Sequence, residues 1–218
     1  MEYSDVVKNR ISIRWFKDDP IPNEDLRAII EEAAQAPSWV NSQPWQVYMA
    51  TGETLQNIKA EHWKLSKEEV DPNPVLIPMS REHWAPQQQQ NMADMYSGIV
   101  GMMQEKGMDP DTFTVANTSL FNAQAIAYLA IADGSSEWSI MDLGGYSYGL
   151  MLAAANRGID SIPAYEFVRY PKHLASHLDV EDGYSVVMGV GLGYRADVPL
   201  NDWRCKRVPF DVFAKILS

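Results

Sequence analysis

The chain has 218 residues, of which 46% are hydrophobic and 22% charged, a balance typical of a globular protein with a sizeable core. Its formal net charge of −11 and pI near 4.7 argue against partners such as nucleic acid or an anionic membrane, because a polyanion requires a basic surface. The single cysteine, Cys205, excludes an internal disulfide and is typical of a reducing compartment. No signal peptide or membrane-spanning run is visible, so we expect a soluble, cytoplasmic protein.

The apolar pattern predicts both helices and strands. Helices are predicted at residues 3–9, 23–36, 53–65, 88–106, 140–157 and 171–178, with a last helical turn at 210–217. Strands are predicted at residues 46–51 and 184–194. The run AQAIAYLAIAD at 123–133 fits either a buried strand or a helix, and we favour a strand for its C-terminal part because Gly134 and two serines follow. Asn23 is the expected N-cap of the second helix.

These elements do not alternate as a regular series of βαβ units, so the expected fold class is α+β. We expect one domain over residues 1–218. The stretch at about 66–115 begins with proline-rich and charged sequence without a sustained period, and is expected to be an excursion over the surface. Residues from about 195 to 218 form a C-terminal arm.

The first candidate polar cluster is the alternating set Arg10, Ser12 and Arg14. In an extended chain this spacing places all three side chains on one face. Two guanidinium groups and a hydroxyl suit a phosphate, which arginine binds in a fork. A solvated strand edge is an equally reasonable interpretation of the same residues.

Two further clusters are weaker on their own. Residues 204–207 hold three cations, Arg204, Lys206 and Arg207, which are either a solvated basic turn or an anion site on an acidic chain. The loop at 36–45, APSWVNSQPW, supplies both donors and acceptors, as recognition of an imide-like ring edge requires, although such loops are most often turns.

Two other patterns carry little functional weight. The sequence GVGLG at 189–193 resembles a dinucleotide loop, but it lies in a strand without a following helix, so its glycines more simply permit close packing. His173 and His177 are four residues apart and could share a helix face, but without a third ligand at metal spacing we predict no metal site.

Several stretches in this order resemble the FMN-dependent nitroreductase family, over nearly the whole chain. They are RISIRWF at 10–16, APSWVNSQPW at 36–45, DLGG at 142–145, NRGIDS at 156–161, Ile162 and Pro163, MGVGLGY at 188–194, and 201–207 followed by VPFD. The stretch at 66–115 and the C-terminal pattern are most similar to the nitrobenzoate-reductase-like branch. Ile11 and Trp39 depart from the family pattern, where a second basic residue and a small residue are usual.

The resemblance implies a nitroreductase-like fold, with a central, mainly antiparallel sheet flanked by helices, in an intertwined homodimer with two FMN sites at the subunit interface. By analogy Arg10, Ser12 and Arg14 hold the FMN from one side, and Arg204 and Arg207 close on its phosphate. The other implied cofactor-binding residues are Pro37, Ser38, Asn41 and Gln43, partly from the partner subunit, and Pro163, Ala164 and Tyr165 beside the ring.

The implied activity is that of an FMN-dependent NAD(P)H oxidoreductase, which reduces nitroaromatic or quinone-like substrates by ping-pong hydride transfer. The cofactor carries the redox chemistry, so no catalytic side chain is assigned. The alternative is a flavin-binding carrier or sensor without turnover, which Trp39 would favour if its indole covered the ring. Dehalogenating or flavin-fragmenting chemistry on the same fold remains a third possibility.

The homodimer is also suggested by two features of the sequence itself. The helix at 140–157 is rich in glycine and alanine and can bury its face by close approach to another backbone, including its own counterpart. The C-terminal arm carries large apolar residues that need a surface to cover, namely Trp203, Val208, Phe210, Phe213, Ile216 and Leu217.

Overall fold

The structure is a computed structural model that describes residues 2–217. Its helices are α1 (Tyr3–Asn9), α2 (Asn23–Ala33), α3 (Gly52–Lys67), α4 (Pro86–Glu105), α5 (Thr112–Thr118), α6 (Glu137–Asn156), α7 (Pro171–Leu178) and α8 (Phe210–Phe213). Its strands are β1 (Gln46–Ala50), β2 (Ala125–Ala132), β3 (Asp160–Pro163) and β4 (Tyr184–Gly193). Short 3-10 turns occur at Trp39–Asn41, Arg81–His83, Leu120–Asn122, Tyr165–Val168 and Pro199–Asp202.

The four strands form one sheet in the order β1-β2-β4-β3, and every neighbouring pair is antiparallel. The predicted α+β class with an antiparallel sheet is therefore confirmed, as is a strand at 123–133. Residues 184–194 were expected to form a strand, and β4 indeed lies inside the sheet beside β2.

Strand β2 is buried on both faces, because helices cover both sides of the sheet. Its residues alternate between two cores: Ile126 and Tyr128 face the layer that contains α3, α4, α5 and α7, while Leu129 and Ile131 face the layer of α2 and α6. This explains why the sequence of β2 is a continuous apolar run rather than an alternating one. The result is a three-layer arrangement around a single sheet.

The glycines of β4 permit close packing, as predicted. A Cβ added at Gly189 would collide with Cβ of Phe167, which belongs to the turn that follows β3. A Cβ at Gly193 would lie 2.7 Å from Cδ1 of Phe16, again inside van der Waals contact. The strand therefore carries no dinucleotide loop; its glycines admit two phenylalanine rings to the sheet surface.

Some predicted boundaries differ from the structure. Helix α2 begins at Asn23 with Pro22 in the N-cap position, so the prediction of Asn23 as the cap was wrong by one residue. It ends at Ala33 instead of residue 36, because the residue before Pro37 is biased away from helical geometry. Likewise, the helical turn predicted at 210–217 covers only Phe210–Phe213.

Within the predicted excursion at 66–115, the structure distinguishes two parts. Apart from the 3-10 turn at Arg81–His83, residues 68–85 have no helix or strand and are largely exposed. Helix α4, in contrast, buries Ile99 and Met103 in the core on the α3 side of the sheet. Among the described residues, no helix is long and apolar enough to cross a membrane.

Candidate functional site

The segment that follows α1 places the predicted cluster Arg10, Ser12 and Arg14 on one face of an extended chain. Ser12 pairs with Ser161 of β3 in a parallel bridge, and the N–H of Ile13 donates to the carbonyl oxygen of Ser161 at 3.1 Å. The side chain of Ile13 is fully buried in the core. The alternation of apolar and polar residues therefore directs the cationic face of this segment away from the core.

This face forms one wall of a cleft of about 530 Å³, which we call the basic cleft. It is lined by Val7, Lys8, Arg10, Ile11, Ser12, Arg14, Tyr148, Trp203, Arg204, Cys205 and Arg207. The structure thus brings together five of the predicted cofactor-binding residues, although they lie at opposite ends of the sequence. Of these, Arg14 is buried, with 8% of its surface exposed.

The charges of the basic cleft have no carboxylate counterpart in the described part of the chain. No Asp or Glu lines the cleft, and the ion pairs formed between described residues all involve other cations. Burial lowers the pKa of Arg10, and the neighbouring charge of Arg207 lowers it further. Burial also lowers the pKa of Arg14, opposed by its contact with the Cys205 thiol. Uncompensated guanidinium groups on a chain of net charge −11 mark a site for an anion.

The two walls of the basic cleft are joined by Asn201, which begins the 201–207 stretch of the resemblance but was assigned no role from the sequence. Its Oδ1 accepts from the N–H groups of Arg14 at 2.8 Å and Trp15 at 3.1 Å. Its Nδ2 donates to the carbonyl oxygens of Trp15 at 2.7 Å and Ala196 at 2.9 Å. A lone asparagine carries no local signal for such a contact, which spans 187 residues.

The predicted ring-side residues Pro163, Ala164 and Tyr165 lie at the end of β3, two or more residues beyond the Ser161 bridge to the basic cleft. The N–H of Ala164 donates to the carbonyl oxygen of Gly189 at 3.4 Å. Tyr165 begins the 3-10 turn Tyr165–Val168 and is 42% exposed. This segment is continuous with the basic cleft through β3.

The turn after β3 is held by a buried charged network. Oε1 of Glu166 lies 3.1 Å from Nε2 of His62 and accepts from Arg169 at 3.1 Å. Burial opposes ionisation of Glu166, but the hydrogen bonds from His62 and Arg169 outweigh burial and hold its pKa below the usual value. This anchoring holds the turn that begins at Tyr165 in place.

Nearby, His173 and His177 share one face of α7, as their spacing predicted. They contact the two oxygens of Glu61 at 3.0 and 2.5 Å. Within residues 2–217, no group of three or more His, Cys, Asp or Glu side chains is arranged to hold a metal ion.

The predicted loop residues Pro37, Ser38, Asn41 and Gln43 do not line the basic cleft of their own protomer. Ser38 Oγ accepts from the N–H of Gln43 at 2.9 Å, and Gln43 Nε2 donates to Asn41 Oδ1 at 3.2 Å. Three residues of the loop have positive φ, namely Val40 at 49°, Asn41 at 59° and Gln43 at 46°. For the β-branched Val40 this conformation is strained, and such strain is concentrated at functional sites.

Helix α6 supports this strained loop. The buried carboxylate of Asp142 accepts from the N–H of Trp39 at 2.9 Å. The indole of Trp39 packs on that of Trp138, one turn earlier on α6, with ring centroids 4.9 Å apart. Both indoles remain about half exposed, so the loop and the first turns of α6 together present an aromatic surface.

The nitroreductase-family profile matches residues 7–194, which include the first wall of the basic cleft, the 36–45 loop and the sheet. The chain belongs to the nitroreductase family. The resemblance described from its sequence is thereby confirmed.

Individual relatives agree with this assignment. The 4-nitrobenzoate reductase of Pseudomonas putida is 26% identical over 196 residues, covering 88% of this chain and 85% of that protein. Among solved structures, the FMN-dependent nitroreductase NfnB from Mycobacterium smegmatis, in complex with NADPH, superposes with a TM-score of 0.89 at 25% identity and covers 100% of this chain and 99% of that one. A nitroreductase with bound FMN from Desulfitobacterium hafniense, 20% identical, shares the fold with a TM-score of 0.66 over 100% of this chain and 99% of that one.

The contacts of Asn201 generate a stability prediction. We expect Asn201→Ala to lower the free energy of unfolding by about 2–4 kcal/mol, because buried backbone groups of Arg14 and Trp15 lose their partners. Urea denaturation at fixed protomer concentration measures the change. Asn117→Ala is the control, since its amide makes a local bond to Phe113 within α5. Equal losses in the two variants would contradict the role given to Asn201.

Proposed function

We propose that this chain is an FMN-dependent NAD(P)H oxidoreductase that reduces nitroaromatic or quinone-like acceptors. The observation that carries the proposal is the basic cleft, in which guanidinium groups without carboxylate partners converge on an acidic protein. Family membership supports it, as do relatives described as 4-nitrobenzoate reductase and as FMN-dependent nitroreductase.

The donor set of the cleft fits the phosphate of FMN. Arg10, Arg204 and Arg207 provide planar forks that match phosphate oxygens, and Ser12 adds a hydroxyl donor. Arg14 is held by its own backbone clamp and donates from one guanidinium nitrogen to the carbonyl oxygen of Ser12 at 3.1 Å. Its orientation is therefore fixed before a ligand arrives, which reduces the entropy lost on binding.

The segment Pro163–Tyr165 is assigned to the edge of the flavin ring. Because the N–H of Ala164 is directed at Gly189, we assign the N–H of Tyr165 to the ring edge. The Glu166 network keeps this backbone in place. When bound, FMN supplies the redox chemistry by accepting hydride from NAD(P)H and passing two electrons to an acceptor.

The partner subunit is proposed to supply the residues missing from the ring site. The loop bearing Pro37, Ser38, Asn41 and Gln43 lies away from the basic cleft of its own protomer, but its strained conformation and its support by Asp142 suit a binding loop. The face of α6 bearing Gly144 and Gly145 has open space around the glycines, as required for a close approach by a second copy. A homodimer with two interfacial FMN sites satisfies both observations.

Donor and acceptor are proposed to occupy the same slot in turn, which gives ping-pong kinetics. We expect purified protein to be yellow with FMN, and its flavin absorbance to bleach on anaerobic mixing with NADPH or NADH. A flavin carrier or sensor would bind FMN without bleaching.

Initial rates with 4-nitrobenzoate and a quinone test the class of acceptor. Ping-pong kinetics give parallel double-reciprocal lines, so intersecting lines would contradict the shared slot.

The phosphate assignment predicts a selective loss of affinity. We expect Arg207→Ala to weaken FMN binding about ten- to a hundredfold, because charge-assisted hydrogen bonds contribute about 1.5–3 kcal/mol. Riboflavin, which lacks the phosphate, should bind the variant and the unchanged protein equally. Lys206→Ala is the matched control, since Lys206 belongs to the same cationic run but does not line the cleft. Fluorescence titration of the three apoproteins with both flavins measures all six values; an equal loss for both flavins in Arg207→Ala would make Arg207 structural.

The proposed homodimer implies that the end of the C-terminal arm contributes to the subunit interface. Its apolar side chains are each more than half exposed in the described structure, up to 88% at Leu217: Phe210, Val212, Phe213, Ile216 and Leu217. Trp203 differs, because it packs in its own chain's core and so corrects the expectation that it covers a partner. Deleting the chain from Phe210 onward should raise the dimer dissociation constant by at least about tenfold. Analytical ultracentrifugation would contradict this with an unchanged dimer, or with an intact protein that is monomeric at micromolar concentration.

A further inference from the structure

Helix α4 and the C-terminal arm are in very close contact where Trp203 meets Gly98. A Cβ added at Gly98 would lie well inside van der Waals contact of Cη2 of the indole and 2.6 Å from Cζ2. The tip of the six-membered ring thus rests directly on the backbone of α4, at a position where only glycine leaves room. Gly101, one turn later on the same helix, has nothing within 4 Å of an added Cβ.

The same indole is a wall of the basic cleft and immediately precedes its cations. Residues 203–209 have no helix or strand, and Arg204, Cys205 and Arg207 are exposed. Nε1 of Trp203 is buried without an acceptor among the described residues, so packing rather than a hydrogen bond holds the ring. An irregular segment of this kind has few other means of fixing the direction of its side chains.

We propose that Gly98 and Trp203 are positioning residues for the phosphate-binding cations. The fit of the indole on α4 sets the path of the chain at residue 203, and thereby the placement of Arg204 and Arg207 opposite Arg10 and Arg14. Helix α4, which belongs to the stretch at 66–115, is in this way part of the cofactor site. The inference rests on the proposed binding of the FMN phosphate in the basic cleft.

The contact between Gly98 and Trp203 depends on shape, so one methyl group added at position 98 should weaken FMN binding selectively. Alanine at position 98 must displace the indole, because the backbone of α4 is anchored by Ile99 and Met103 in the core. Displacement of Trp203 moves the two arginines that follow it, while the ring-side segment Pro163–Tyr165 belongs to a different part of the chain. The lost affinity should therefore come from contacts to the phosphate and not from contacts to the flavin ring.

The test compares Gly98→Ala with Gly101→Ala in the full-length protein. Apoproteins are titrated with FMN and with riboflavin, and flavin fluorescence is followed. We expect Gly98→Ala to raise the FMN dissociation constant by about tenfold and to leave that of riboflavin unchanged. The Gly101→Ala variant should match the unchanged protein for both flavins. Unchanged FMN affinity in Gly98→Ala, or an equal loss for both flavins, would overturn the inference.

A compensating variant separates positioning from a general loss of folding. Phenylalanine at position 203 lacks the distal part of the indole that meets Gly98, so the double variant Gly98→Ala with Trp203→Phe should recover FMN affinity to within about threefold. Recovery supports the inference even where Gly98→Ala alone fails to fold. A double variant that is unfolded, or that binds FMN as weakly as Gly98→Ala, contradicts it. Equal affinity of the unchanged protein for FMN and riboflavin would instead contradict the proposed phosphate site itself.

Discussion

The basic cleft depends on the hydrogen bonds that Asn201 makes with the backbone of Arg14 and Trp15. These bonds add to the antiparallel bridge between Phe16 and Arg195 that also joins the two segments. They give the N–H groups of Arg14 and Trp15 an acceptor. Because the amide uses both its donor and its acceptor, it fixes the distance and the rotation of one segment relative to the other. This geometry sets the positions of the arginines on both sides of the cleft.

The fold accepts several unfavourable features in the basic cleft and in the 36–45 loop. Burial and the neighbouring charge of Arg207 lower the pKa of Arg10, Arg14 is largely removed from solvent, and Val40 adopts a left-handed conformation. None of these features stabilises an isolated protomer. They are tolerated because the sheet and its two cores are extensive, and an anion bound in the cleft would offset the repulsion. A few residues are arranged unfavourably for stability, and the large core keeps the protein folded despite them.

Local sequence patterns were sufficient for most of the fold. Seven of the eight described helices, the buried strand at 123–133 and the close-packing glycines of β4 each follow from periodicity, from flanking residues or from side-chain size. Helix α5 (Thr112–Thr118) and strand β3 (Asp160–Pro163) were not predicted. The alternation in Arg10, Ser12 and Arg14 also predicted a shared face. Boundaries were less accurate, as at Ala33, where the influence of Pro37 extends over several residues.

The candidate site was only partly accessible from the sequence, because its decisive contacts are long-range. The resemblance to a family placed Arg204 and Arg207 beside the first segment, but composition and spacing alone could not. Asp142 and Asn201 act through side-chain hydrogen bonds to distant backbone groups, for which no local pattern exists. The fit of Trp203 on Gly98 depends on the direction of an irregular segment, which no periodicity describes. The positive φ angles at Val40, Asn41 and Gln43 are likewise imposed by the surrounding structure.

The distance in sequence between Arg14 and Asn201 also has a consequence for the order in which the protein is made. Arg10 and Arg14 leave the ribosome early, whereas Asn201, Arg204 and Arg207 follow almost two hundred residues later. Until then the first two arginines have neither the amide that orients them nor the cations that complete their cleft. Contacts between residues so far apart in the sequence form late in folding. A ligand that requires both walls can therefore bind only after residue 207 has been synthesised, so a chain interrupted before that point is not stabilised by the ligand and remains exposed to proteolysis.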